Sequence, residues 1–209
     1  MRFFDCKTAP SPRRVRIFMA EKGLDIPPVQ VDLAGGEQLG DAFRDINPDC
    51  TVPVLQLDDG PCLTEVFAIC QYLEEKFPEP ALLGRSAIER ALVTMWNAKI
   101  ELHGFLAVAE TFRNRARGMK GRALTGPDDY EQIPELIERG RRRFDSFMAR
   151  LNGQLHGRKY VVGDDFTIVD ISAMVAVDFA ARSKISMPDD MTALRRWHAI
   201  VAARPSASA

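Results

Sequence analysis

A proline-led strand and a following glutamate give this chain its most chemically suggestive pattern. The stretch Thr51-Val52-Pro53-Val54-Leu55 precedes Leu63-Thr64-Glu65. Proline has no backbone N–H for a β-ladder, so it belongs at the first residue or the edge of a strand. With a cis bond before Pro53, Val52 turns its N–H and C=O outward, free to pair with an extended peptide. Glu65 stands where a helix should begin, near the same edge. A backbone docking edge beside a carboxylate suits a small peptide-like ligand that carries a free amino group.

Other reactive residue types are sparse. The four cysteines, Cys6, Cys50, Cys62 and Cys70, contain no C-x-x-C pair and read as free thiols, Cys6 as a buried one. The three histidines have no metal-ligand spacing, so no metal is expected. The arginines at 113, 115, 117, 122, 139, 141, 142 and 143, with Lys120, form a basic run. Interspersed acids and the absence of interleaved aromatics make that run a solvated face or a dimer rim rather than a nucleic-acid surface.

Composition is that of an ordinary soluble globular protein. The chain has 209 residues, 46% of them hydrophobic and 27% charged, and a formal net charge of −1. That balance gives no overall electrostatic drive toward nucleic acid or anionic membranes. No apolar run is long enough to span a bilayer, and Met1-Arg2-Phe3-Phe4-Asp5 lacks a signal peptide's apolar core. The expectation is a cytoplasmic protein without metal, nucleic-acid or membrane partners.

The elements that would hold the docking edge follow from the local pattern. Residues 2–6 read as a strand. Ser11-Pro12 opens a helix, with serine as N-cap and proline at the first helical position, and the helix runs to Gly23. Val15, Phe18 and Met19 form its apolar stripe, leaving Arg13, Arg16 and Lys22 to water. A second strand spans 28–33 and a short helix 38–46, stopped by Asn47-Pro48. Residues 54–57 and 62–64 form a hairpin around Asp58-Asp59-Gly60, and residues 65–77 form the last helix of this half. The order β-α-β-α-β-β-α describes a thioredoxin-like domain over 1–78, followed by a Pro/Gly-containing linker over 79–86.

From residue 87 onward the hydrophobic period is helical. Ile88, Ala91, Met95, Ala98, Leu102, Phe105, Ala109 and Phe112 keep a 3-4 spacing expected of a buried seam. Ile133, Ile137, Gly140, Phe144, Phe147 and Leu151 continue it in a second helix. Thr167 and Asp170 make a capping box ahead of a buried Ala/Val/Phe-rich helix, and a final helix lies around 194–201. The fold class is α+β with two domains, the second (87–209) an all-α helical bundle.

Taken together, these features resemble the cytosolic glutathione S-transferases over essentially the whole chain. The residues that carry the resemblance are Pro10-Ser11-Pro12-Arg13-Arg14-Val15-Arg16, Asn47-Pro48, Val52-Pro53, Leu63-Thr64-Glu65, Ala68-Ile69, Tyr72-Leu73 and the stretch from Gly163 to Asp170. The style is bacterial, similar to the beta and nu-like groups. The resemblance implies that Val52 pairs with the cysteinyl part of glutathione and that Pro53 holds the bend. It implies that Glu65 takes the γ-glutamyl ammonium, Val66 offers its amide where the family carries serine, and Gln38 meets the glycyl carboxylate. The usual thiol-activating serine position aligns with Ala9, which leaves Ser11. A hydrogen bond to a charged group contributes roughly 1.5–3 kcal/mol and a helix N-terminus about 0.3–2 kcal/mol. Together they lower a thiol pKa by roughly 1–3 units.

The resulting expectation is a homodimeric, detoxifying glutathione transferase that activates glutathione for attack on an apolar electrophile, with Ser11 catalytic. Pro10, His103, Phe105 and Phe112 are the candidate lining of the co-substrate pocket. The competing enzymatic reading is glutathione-dependent reduction of a disulfide or peroxide. A third reading, a non-catalytic glutathione-binding regulator, rests on Ala9 and Val66.

Overall fold

A computed structural model describes residues Met1 to Ala209. The first half comprises β1 (Arg2–Asp5), α1 (Pro10–Glu21), β2 (Pro28–Gln30), α2 (Asp41–Arg44), β3 (Val54–Gln56), β4 (Cys62–Leu63) and α3 (Val66–Lys76). The sheet order is β2-β1-β3-β4. β1 runs parallel to β2, with Phe4 opposite Val29, and antiparallel to β3, with Phe3 opposite Leu55. A right-handed crossover through α1 is the usual way to link parallel neighbours such as β1 and β2. This is the thioredoxin-like arrangement expected from the sequence.

The second half is helical: α4 (Ala87–Ile100), a π-helical turn at Glu101–Phe105, α5 (Leu106–Arg115), α6 (Glu135–Gln154), α7 (Ile168–Arg182) and α8 (Thr192–Ala202). The Thr167–Asp170 capping box forms as the sequence indicates, with both reciprocal bonds present. Asp170 is fully buried and also accepts from Trp197 Nε1 at 2.8 Å and Val161 N at 3.0 Å. It thereby ties α7 to α8 and to the segment before it. α1 packs on α7 and α3, so Phe3, Phe18 and Leu73 share one core with Ile100, Phe144 and Trp197.

Several expectations are corrected. α1 begins at Pro10 with Ala9 in extended conformation as N-cap and no side-chain cap, so Ser11 is a residue of the first helical turn. Both Pro10 and Pro12 fit a first turn, where the missing N–H is unneeded; the sequence favoured Pro12, and the helix starts at the earlier proline. Lys22 is buried rather than solvated: its Nζ contacts Glu74 Oε2 at 2.7 Å and donates to Phe77 O and Pro80 O. Arg13 and Arg16 are ion-paired with Asp178 and Asp5. The 38–46 segment is a 3₁₀ turn at Glu37–Leu39 and the short α2, separated by the extended Gly40. Cys6 is half-buried rather than buried.

The most informative correction concerns α4, which carries two apolar stripes. Val93, Trp96 and Ile100 face the core and α7, while Ile88, Leu92 and Met95 stay exposed, as do Leu102 and Leu106 beyond it. Ala91 and Ala98 are exposed too. Periodicity identifies a helix, not which of its stripes turns inward. Ile133 is likewise exposed, and Ile137 only half-buried, although Gly140, Phe144, Phe147 and Leu151 of α6 are buried as expected.

Candidate active site

The docking edge is formed where the β3 strand begins. The Val52–Pro53 bond is cis, and Pro53 is buried just ahead of β3. Neither the N–H nor the C=O of Val52 takes part in the chain's backbone hydrogen bonds, so both remain available. Asn47 fixes the approach to this edge. Its Nδ2 donates to Thr51 O at 2.9 Å and Thr51 Oγ1 at 3.1 Å, while its Oδ1 accepts from Asp49 N. The sequence marked Asn47 as a helix stop and as part of the family resemblance, without this bracing role.

Glu65 caps α3 with φ 64° and ψ 127°, a conformation that L-residues rarely adopt. Its backbone carbonyl accepts from Ile69 N at 3.0 Å, but its exposed carboxylate has no partner in the chain. The amides of Val66, Phe67 and Ala68 lie in the first turn of α3 and have no intrahelical acceptor. They face the N-terminal end, where the helix dipole favours an anion. Val66 itself is buried and contributes only this amide. Gln38 is 2% exposed, and its Oε1 is buried without a hydrogen-bond partner. A buried amide left incomplete in this way is unusual.

The loop between β1 and α1 supplies the third corner. Asp5 at the end of β1 is buried and held by Arg16 and by Gln30 Nε2 at 2.6 Å. Ala9 N donates back to Cys6 O at 2.9 Å. Because Pro10 and Pro12 have no N–H, Ser11 is the one residue of the first three that has an amide to offer. The Ser11 Oγ accepts a hydrogen bond from Arg14 Nη2 at 3.3 Å. Arg14 is buried, pairs with Glu101, and lies 4.0 Å from the centroid of the Phe105 ring. With a lone pair of Ser11 engaged by the guanidinium, its own O–H is the group left to donate. Sequence reading missed this link, whose only trace is the Ser11–Arg14 spacing of one helical turn.

The pocket candidates separate. Phe112 meets Phe179 edge-on at a centroid distance of 5.6 Å, and Arg182 lies over Phe112 while donating to Thr8 O at 2.7 Å. An aromatic pair is thus brought next to the loop before α1, where Pro10 is half-buried. Phe105 is buried beneath Arg14 and belongs to the domain junction. His103 is not brought to this region. Two residues beyond Glu101 on a helical path, it points instead toward α6 and lines a groove with Arg139, Arg142, Arg143 and Arg150. The Cys6 Sγ sits 3.5 Å from Thr8 Oγ1 at the opposite end of the loop from Ser11.

A cis-proline edge on a thioredoxin-like sheet, with an all-helical domain packed on its first helix, defines a two-domain class of thiol-using enzymes. Family comparisons agree. The model described as "Glutathione S-transferase, N-terminal domain" matches residues 8–76, and that described as "Glutathione S-transferase, C-terminal domain" matches residues 114–205. Glutathione S-transferase 2 of Saccharomyces cerevisiae is 33% identical over 209 residues, covering 99% of this chain and 87% of the yeast protein. Glutathione S-transferase Z1 of Arabidopsis thaliana is 47% identical over 162 residues, covering 76% of this chain and 67% of the plant protein. A crystal structure of a glutathione S-transferase domain-containing protein from Marinobacter aquaeolei superposes with a TM-score of 0.90 at 40% identity, covering 99% of each chain. The chain belongs to the glutathione S-transferase family and is a glutathione-using enzyme.

Proposed function

We propose that the tripeptide lies along the edge at Val52, with its cysteinyl backbone paired to the N–H and C=O of that residue. The γ-glutamyl ammonium meets Glu65, and its carboxylate meets the Val66 amide at the start of α3. Gln38 faces the glycyl end with its incomplete amide. The observation that carries this reading is the unpaired Val52 backbone beside a Glu65 carboxylate held, without an internal partner, in a conformation unfavourable for any side chain. Such strain persists where the surrounding fold enforces it, most often at ligand sites.

The thiol then points toward the start of α1. Ser11 O–H donates to the sulfur, and the helix N-terminus favours the negative charge. Arg14 acts through Ser11 by occupying its acceptor lone pair. The thiol proton leaves to solvent, and the thiolate attacks an electrophilic carbon whose leaving group departs with the bonding pair. Phe112 and Phe179 give the co-substrate pocket an apolar wall, which fits an apolar electrophile. Replacing Ser11 by alanine should reduce turnover about tenfold while changing glutathione affinity by less than about threefold, since one charged hydrogen bond is lost. Unchanged turnover would remove Ser11 from the reaction.

The same reading includes a homodimer, supported by the exposed stripe Ile88, Leu92, Met95, Leu102 and Leu106, residues between 37% and 66% exposed. A continuous apolar row of this kind on a single helical path is unusual for a monomer. We place the protein in the cytoplasm, in keeping with its free cysteines and with helices that are all too short or too polar to cross a membrane. The domain limits proposed are 1–78 and 87–209, with the linker between them. The subgroup proposed is the bacterial beta- or nu-like type, on the strength of Ser11 and the absence of a hydroxyl at Ala9.

A further inference from the structure

On the outer face of the helical half, α6 and the π-helical turn enclose a groove of about 610 Å³ lined by His103, Glu135, Glu138, Arg139, Arg142, Arg143, Ser146 and Arg150. No hydrophobic residue lines it. We infer that this groove binds a small ligand bearing two or more phosphate groups, independently of the glutathione site.

Four observations converge on that ligand class. First, the arginines fall on one side of α6: Arg139 and Arg143 are four apart, and Arg142 and Arg150 are each four residues from Ser146, which also lines the groove. Second, two of them are pre-positioned. Arg139 and Arg143 pair with Glu110, and Arg143 also donates to Leu102 O at 2.7 Å. Third, Arg142 and Arg150 have no carboxylate within ion-pair distance, and they stand about 12 Å apart along the helix. A chain of linked phosphates bridges such a gap better than a single phosphate does. Fourth, the lining acids Glu135 and Glu138 lie toward the N-terminal end of α6, so no acid lines the groove from Arg142 to Arg150. His103 reports the result: burial lowers its pKa first, and Arg150, Arg143 and Lys99 lower it further. The absence of apolar or aromatic lining disfavours a nucleobase and leaves the phosphates themselves as the recognised groups.

The test uses the full chain and sodium tripolyphosphate as probe, by isothermal titration at 0.15 M salt and pH 7. Saturable binding at one site per chain is expected. The Arg142→Gln/Arg150→Gln double variant should weaken it about tenfold or more, because two charge-assisted contacts are lost. Arg141→Gln, a change on the same helix outside the groove, should leave it within about twofold. All these residues are exposed, so the variants should keep the parent melting temperature and glutathione turnover. A second readout is the proton NMR titration of His103, assigned with His103→Gln. Bound polyanion should raise its midpoint, since a nearby negative charge favours imidazolium. Absence of saturable binding, equal loss in Arg141→Gln, or an unmoved His103 would overturn the inference. So would tighter binding of an RNA oligomer or an anionic vesicle that tripolyphosphate fails to displace, which would assign the groove to a macromolecular polyanion.

Discussion

Replacing Glu65 by glycine should push stability and function in opposite directions. The residue sits at φ 64°, ψ 127° with no hydrogen bond from its side chain. Backbone strain of this kind costs about 1–3 kcal/mol, and glycine relieves it. Glycine adds about 0.5–1 kcal/mol of conformational entropy to the unfolded chain. The difference is a net stabilisation of roughly 0–2 kcal/mol, which a two-state domain of this size shows as a rise of a few degrees in melting temperature. The charged hydrogen bond proposed between this carboxylate and the ligand ammonium, about 1.5–3 kcal/mol, is lost at the same time. Glutathione affinity should therefore fall between about tenfold and 150-fold. Glu65→Ala separates the two effects, because alanine loses the carboxylate but keeps the strain. It should bind as weakly as the glycine variant without gaining its stability. Denaturant melts and calorimetric glutathione titrations of the three proteins measure both quantities. A glycine variant that is less stable than the parent, or that binds glutathione as tightly, would refute the reasoning.

Four further outcomes are expected. Asp170→Asn turns one of two fully used carboxylate oxygens into a donor facing other donors, which should destabilise the protein by about 2–5 kcal/mol in denaturant melts. Burial raises the Asp170 carboxyl to about 6 despite its hydrogen bonds to Trp197, Val161 and Thr167. The folded state thus holds this proton more tightly than the unfolded chain, so the contribution is fully present below about pH 4 and declines as pH rises toward 6. That slope should vanish in Asp170→Asn. Lys22→Met strands the buried Glu74 carboxylate and should cost about 3 kcal/mol, of which Lys22→Met/Glu74→Gln recovers part. Leu92→Glu with Met95→Glu should convert a dimer to a monomer in sedimentation velocity, and a parent protein that already sediments as a monomer would refute the dimer. Ser11→Ala should lower turnover rather than affinity, as argued above.

Much of the fold was legible because local chemistry and tertiary context agree. The Thr167–Asp170 box, the Asp58-Asp59-Gly60 hairpin turn and the Gly23 helix stop each have one favoured conformation, and each appears where the residues place it. The misreadings arise where two local solutions are equivalent or where a long-range partner decides. Pro10 and Pro12 compete for the start of α1. α4 has two apolar stripes, and it is the one through Val93, Trp96 and Ile100 that turns to the core. Lys22 reads as a surface residue until Glu74, more than fifty positions away, is brought to it. For the candidate site, Val52, Pro53 and Glu65 were legible because proline and a helix-starting carboxylate constrain the backbone locally. The Arg14–Glu101–Phe105 contact to Ser11 joins residues from both domains, and nothing in the local sequence announces it. His103 was expected in the co-substrate pocket from the family resemblance, yet the helical phase directs it to α6 instead.

The most direct test of the central claim is an ultraviolet difference titration of the protein with glutathione across pH, following thiolate absorbance. The account predicts saturable binding and a bound thiol pKa about 1–3 units below that of free glutathione, from the Ser11 hydroxyl and the N-terminus of α1. A bound thiol that titrates at the free value, or no binding at all, would contradict it.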